Sequence, residues 1–156
     1  MLLENKVVYV VVTGATKAKT IGVLLRHLKL AGAECILIPS DEGYKLMDHS
    51  SINKEWMKYD EKIYNPKTKD IPEEDIVIVA PCTFNTLSKI AHGIADNYPT
   101  SIIHAAIGRR KPVVLGLAMN YWYFNHPLTM DHIGKINSFP NVSIVWPESI
   151  YLPDGT

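Results

Sequence analysis

The run Lys6–Val12, KVVYVVV, is β-branched almost without interruption. A strand with one wet face alternates apolar and polar residues. A run without that alternation is covered on both faces, as in the parallel sheets of α/β proteins. Short apolar runs at Cys35–Ile38, Ile76–Val79, Pro112–Leu117 and Val142–Val145 read as further strands. Between them lie helical patterns. In Thr20–Ala31, Ile21, Leu24, Leu25, Leu28 and Ala31 fall at helical spacing, with Arg26, His27 and Lys29 between them. Gly32 stops that helix in the usual C-terminal position. Ser40 N-caps an expected short helix through Met47, with Asp41 and Glu42 in its first turn. Further helices are expected over Thr86–Asp96, Pro99–Ile107 and Pro127–Ser138. Residues 48–74 are polar and irregular, with Asn65-Pro66 and Pro72, and support no assignment. Alternating strands and helices predict a doubly wound parallel sheet with right-handed crossovers, an α/β, Rossmann/flavodoxin-like three-layer sandwich. Residues 1–156 are read as one domain.

Charge and cysteine usage exclude several function classes. Lys+Arg and Asp+Glu balance at 16 each, so net charge points to neither nucleic acid nor an acidic membrane surface. Cys35 and Cys82 are the 2 cysteines, without metal-ligand spacing, and reduced thiols are expected in a βαβ pattern. No run approaches the ~18 apolar residues of a transmembrane helix. The start MLLENKVVYVVV lacks a basic region before its apolar run and a small-residue cleavage site. A cytoplasmic location is the default expectation.

In an open parallel sheet, ligands bind just past the carboxyl ends of the strands. Two unusual polar segments follow strands here: Ala80–Asn97, APCTFNTLSKIAHGIADN, and Ala118–Pro127, AMNYWYFNHP. A third, Thr13-Gly14-Ala15-Thr16-Lys17-Ala18-Lys19, links the first strand to the first helix. Its small residues let backbone N–H groups approach a phosphate, and the helix N-terminus adds partial positive charge. The alternative is an ordinary strand-to-helix turn. Gly14 and Gly22 lie too far apart for GxGxxG, and the loop lacks the GK[ST] of a P-loop. In Ala80–Thr86, Pro81 is expected to end the strand, while Cys82, Thr83, Asn85 and Thr86 offer short polar groups. Thr83 or Asn85 is placed to cap the next helix, which does not exclude ligand contact. Asp96-Asn97 reads as a turn. Tyr121, Trp122, Tyr123 and Phe124 are expected in core or subunit contact. Asn120 is the polar group best placed for a ligand carboxylate or amide.

Two motifs carry a family resemblance. One is Pro81-Cys82-Thr83-Phe84-Asn85-Thr86, of the PASANT type, continued by Lys89-Ile90-Ala91 and Gly93-Ile94-Ala95-Asp96-Asn97. The other is Leu117-Ala118-Met119-Asn120-Tyr121-Trp122-Tyr123-Phe124, of the PxMNxxMW type. With these the chain resembles the flavin-containing cysteine decarboxylases, which include the phosphopantothenoylcysteine and lantibiotic decarboxylases. The resemblance implies bound FMN at a subunit interface, in a homotrimer or a dodecamer built of trimers. It places Gly14, Ala15, Thr16 and Lys17 on the phosphate and Ser40 beside it. It assigns Pro81, Cys82, Thr83, Asn85 and Thr86 to the flavin-binding segment, and Asn120 to recognition of a small-molecule substrate.

The departures are specific. The family histidine ahead of the PASANT strand falls at Lys67, and no histidine lies between His49 and His92. Pro147–Thr156, matching the flap that carries a cysteine in the phosphopantothenoylcysteine enzymes, has none. Leu117 stands for the first Pro of the second motif, and Tyr123 and Phe124 for its Met and Trp. Efficient cysteine decarboxylation is therefore not expected. Related roles remain open: a flavin-dependent reductase of the pterin-reductase kind fed by an electron donor, or a flavin subunit completed by a partner chain. A flavin prenyltransferase-like enzyme is similar in Pro81-Cys82-Thr83 and Arg109-Arg110, but that branch lacks the AMN segment. A dehydrogenase reading of Thr13-Gly14-Ala15 is opposed by the glycine spacing and the lack of a Tyr-x-x-x-Lys pair.

Overall fold

The computed structural model describes residues 1–52 and 71–150. Its strands are β1 (Val7–Val12), β2 (Glu34–Pro39), β3 (Ile76–Cys82), β4 (Val113–Leu117) and β5 (Val142–Val145). They form one parallel sheet in the order β2-β1-β3-β4-β5. The helices are α1 (Ile21–Leu30), α2 (Asp41–Leu46), α3 (Phe84–His92), α4 (Tyr98–Gly108), α5 (Tyr121–Phe124) and α6 (Pro127–Asn137). The expected flavodoxin-like α/β architecture is thus the observed one.

Alternation along the strands assigns each side chain to a face. Val8, Val10, Val12, Cys35 and Leu37 pack with Ile21, Leu25 and Leu28 of α1 on one face. Tyr9, Val11, Ile36, Ile38, Val77 and Val79 point the other way, among Leu87 and Ile90 of α3, Ile103 of α4 and Ile133 and Ile136 of α6. Both faces are dry over the central strands, which explains the unbroken apolar run in β1. At the amino-terminal end of the sheet the charges pair internally: Lys6 with Asp75 at 3.8 Å, Lys111 with Glu73 at 3.1 Å, and Arg109 with the buried Glu74.

Several boundaries differ from the sequence expectation. The helix expected over Thr86–Asp96 runs over Phe84–His92, because Gly93 takes a left-handed conformation (φ 70°) that ends it. Asn97 then starts α4 instead of closing a turn: its side chain accepts from Thr100 N–H at 2.9 Å, and Thr100 Oγ1 accepts from Asn97 N–H at 3.2 Å. Pro81 does not end its strand. β3 continues through it to Cys82, with a bulge between Val79 and Cys82 that relieves the ladder of the N–H proline lacks. The loop after β1 is partly ordered as a 3₁₀ turn over Thr16–Thr20, and the aromatic run forms the one-turn helix α5.

Candidate functional site

The chain passes from β1 outward to β2 and returns on the other side of β1 to β3, so the connections diverge between β1 and β3. In a doubly wound sheet this switch point opens a crevice at the carboxyl ends of the strands. Thr13 sits at its floor. It is buried, its hydroxyl donates to Pro81 O at 2.6 Å, and the same oxygen accepts from Thr83 N–H at 3.1 Å. The end of β1 is thereby tied to the end of β3.

Beyond Thr13 the loop folds back on itself, with Ala15 N–H donating to Thr13 O at 2.9 Å and Ala18 N–H to Ala15 O at 2.8 Å. The amides of Gly14, Thr16 and Lys17 have no acceptor among the described residues. Gly14, Thr16 and Lys17 are exposed and Ala15 half-buried. Grouped free amides beside a lysine are the donor set a phosphate requires.

Ser40 lies beside this loop. Its N–H donates to Val12 O at 2.9 Å and its hydroxyl accepts from Gly43 N–H at 3.0 Å, the expected N-cap of α2. Two glycines allow that approach. A Cβ on Gly43 would collide with the Val12 carbonyl, and one on Gly14 would lie 2.6 Å from Glu42 Cβ. Glycine at 14 is therefore required by packing against α2, independently of any ligand.

At the end of β3, Thr83 N-caps α3 by accepting from Thr86 N–H at 3.2 Å, and its hydroxyl also donates to Thr86 Oγ1 at 3.1 Å. Asn85 is exposed, half a turn away, and Thr86 is buried. The Cys82 side chain points into the core, fully buried, and burial pushes its thiol up to about 12. It is an inert thiol, and the sulfur does not face the crevice. Pro81 is buried and presents its carbonyl to Thr13.

At the end of β4, Ala118 N–H donates to Cys82 O at 3.0 Å, which keeps the third and fourth strand ends together. Asn120 is exposed and N-caps α5, accepting from Tyr123 N–H at 3.2 Å. Its amide N–H₂ has no acceptor among the described residues. Of the four aromatics, Trp122 and Tyr123 are 62% and 47% exposed on the single chain, whereas Tyr121 and Phe124 are half-buried. Phe84 of α3 stacks on Tyr123 (ring centroids 5.0 Å apart), and Phe124 on Trp146 (6.2 Å).

The fold thus brings the four predicted segments, around Thr13, Ser40, Thr83 and Asn120, to one end of the sheet. His49 lies elsewhere: its Nε2 pairs with Tyr44 O at 2.7 Å in the turn after α2. His92 closes the last turn of α3, away from the cap, with Nδ1 donating to Ser88 O at 2.8 Å. Lys67 and residues 151–156 lie outside the described residues. Sequence reasoning missed His126. It N-caps α6 through Nδ1, which accepts from Leu128 N–H at 3.1 Å, and its ring lies 5.0 Å from that of Phe84. The signal was present in His126-Pro127, a capping position followed by proline at the first helical residue.

Comparison with known proteins places this geometry in context. The sequence profile of the Flavoprotein family matches residues 2–155. A putative phosphopantothenoylcysteine decarboxylase of Dictyostelium discoideum is 30% identical over 140 residues, covering 80% of this chain and 68% of the relative. The coenzyme A biosynthesis bifunctional protein CoaBC of Methanocaldococcus jannaschii is 33% identical over 155 residues, 94% of this chain but 36% of that longer protein. Among solved structures, the FMN binding protein AtHal3 superposes with a TM-score of 0.76 at 26% identity, over 92% of this chain and 82% of that one.

Proposed function

Because the chain belongs to the Flavoprotein family, we propose that the crevice between the ends of β1 and β3 holds FMN and that the protein uses it in redox or decarboxylase-related chemistry. The observation that carries this reading is the set of free amides at Gly14, Thr16 and Lys17 beside the capped helix start at Thr83. A phosphate fits the first, and a flat ring with hydrogen-bonding edges fits beside the exposed Asn85. FMN supplies reversible two-electron chemistry when bound. Gly14–Lys17 bind the phosphate, and Ser40 and Thr83 keep the ends of β2 and β3 rigid beside it. Asn120 offers its amide N–H₂ to a substrate carboxylate while its oxygen caps α5.

Within that role, efficient decarboxylation of a cysteine-terminated substrate is not expected. General-base catalysis typically contributes about 10²–10⁴ in rate. By the resemblance the family base falls at Lys67, and the reference pKa of a lysine side chain is about 10.4. The exposed apolar side chains Trp122, Tyr123, Leu128, Val145 and Trp146 support a homo-oligomer in which copies cover this end of the sheet.

The test is direct. The purified protein is expected to be yellow and to release FMN on denaturation. Reduction of the bound flavin by a thiol or by NADPH, followed at its visible absorption, then separates decarboxylase-like from reductase-like use. A colourless protein that neither retains nor takes up FMN overturns the reading, and cysteine decarboxylation near one turnover per second overturns the assignment of Lys67.

A further inference from the structure

His126, Thr129 and His132 are spaced three apart and share one stripe of α6. That stripe holds α5 and the start of α3. Thr129 is buried and its hydroxyl donates to Tyr123 O. His126 and His132 both flank Phe84, at ring separations of 5.0 and 5.7 Å, and Phe84 in turn stacks on Tyr123. Phe84 lies between Thr83 and Asn85, in the segment assigned to the flavin. One aromatic stack thus links α6 to the cofactor end of the sheet.

Both histidines hold their places as neutral rings. His126 caps α6 by accepting a hydrogen bond at Nδ1, and a protonated imidazole has no acceptor lone pair. His132 is 3% exposed, and neither of its ring nitrogens has a partner among the described residues. A buried group without partners is costly to charge. We propose that His126 and His132 are positioning residues that fix Phe84 and α5 against the cofactor segment only while both rings are neutral, so that acidification loosens this end of the site.

The groups facing His132 reinforce the direction. His92 of α3 meets it edge-on at 5.0 Å; His126, Asp131 and Lys135 face it from its own helix; Tyr123 of α5 closes the far side of Phe84. Burial first, then His92, His126 and Lys135, lower the His132 pKa, and Asp131 alone opposes them. The sign follows. An imidazole in the unfolded chain titrates near 6.5, and the folded value lies below it. The stabilisation from a neutral His132 is complete above about pH 6.5 and is lost as pH falls through the lowered folded value.

The proposal rests on the FMN reading for its functional consequence but not for its structural one, so two measurements separate them. In the apoprotein, hydrogen-exchange protection factors of the Tyr123 and Leu128 amides, corrected for intrinsic exchange, are expected to fall at least tenfold between pH 7.5 and 5.5. Amides in β1 should keep theirs. In the holoprotein, the FMN dissociation constant read by flavin fluorescence is expected to rise at least tenfold over the same range. In a His126→Asn/His132→Leu double variant it should change less than threefold, because asparagine keeps a cap acceptor and leucine cannot charge. Each single variant should show an intermediate slope. Equal pH slopes in wild type and variants, or pH-independent protection of Tyr123 and Leu128, overturn the proposal. Absence of FMN binding at pH 7.5 overturns the functional reading instead, and the exchange measurement then decides this one.

Discussion

Replacing Gly43 with alanine should unseat α2 from the end of β1. The added Cβ would stand 2.8 Å from the Val12 carbonyl carbon and 3.2 Å from Ser40 Oγ, and closer still to the Val12 carbonyl oxygen. Nonbonded heavy atoms prefer roughly 3.5–4.0 Å, and the contact with the carbonyl oxygen is the shortest, so the helix must retreat by more than about 1 Å. Val12 O cannot yield, since it also accepts Ser40 N–H at 2.9 Å and belongs to an interior strand of the sheet. Retreat of α2 then breaks that bond, worth about 1 kcal/mol. It also weakens the Ser40 cap on Gly43 N–H, worth about 1 kcal/mol more. Residual overpacking adds about 1–3 kcal/mol. A loss of about 3–5 kcal/mol corresponds to a drop in Tm of roughly 6–20 °C for a domain of this size. Thermal melts of the apoprotein, followed by circular dichroism, measure it without reference to any ligand. Gly108→Ala is the control. Nothing lies within 4 Å of a Cβ there, so that variant should be unchanged or slightly stabilised. If Gly43→Ala melts within about 2 °C of Gly108→Ala, the close approach of α2 to β1 is wrong.

Further outcomes follow from the same geometry. Gly14→Ala should destabilise by about 1–3 kcal/mol through Glu42 Cβ, and pairing it with Glu42→Gly should recover part of that loss in denaturant titrations. Native Cys82 should resist an aromatic disulfide reagent at pH 8, since its thiol titrates at about 12 and is fully buried; modification before unfolding would contradict that placement. Asn120→Ala should cost about 1 kcal/mol through the lost α5 cap. Asn120→Asp should keep the cap but lose the amide donor, so weakened substrate binding without weakened stability in the aspartate variant would mark a recognition role beyond capping. Gly134→Ala, in the interior of α6 with open space around it, should stabilise by about 0.5–1 kcal/mol, read from the shift in denaturant midpoint.

The sheet was legible in the sequence because its central strands are covered on both faces, and KVVYVVV has no other economical use. Caps made of one short polar residue were legible in part: Ser40 stands where an oxygen reaches the third amide of a following helix, and of the two candidates Thr83 and Asn85 it is Thr83 that caps α3. Tertiary features were not. Pro81 reads locally as a terminator, and pairing with β4 across the bulge, with Thr13 bonded to its carbonyl, keeps it in the strand. The apolar pattern runs on past Gly93 to Ile94, hiding a helix end that the left-handed glycine decides. Asn97 reads as half of a turn because its partner, Thr100, lies inside the following helix. His126 and His132 escaped notice because a lone histidine carries no period, and their meaning comes from Phe84, far away in sequence and adjacent in space.

The Thr13 hydroxyl has a consequence for how a ligand is admitted. Its proton is committed to Pro81 O and one of its two lone pairs to Thr83 N–H, so the buried oxygen has no donor left to offer a guest. Recognition must then come from the rim, where Gly14, Thr16, Lys17 and Asn85 are exposed. Such a design resembles a vice with its jaws already set. The gap between β1 and β3 is fixed before anything enters, and little ordering of these strand ends remains to be done on binding. A Thr13→Val change would touch no exposed donor, yet it would leave the Thr83 amide without its acceptor and Pro81 O with only the backbone N–H of residue 13, at 3.3 Å, so the two jaws would be held less firmly. Tight binding at the rim would then depend on an atom the ligand never meets.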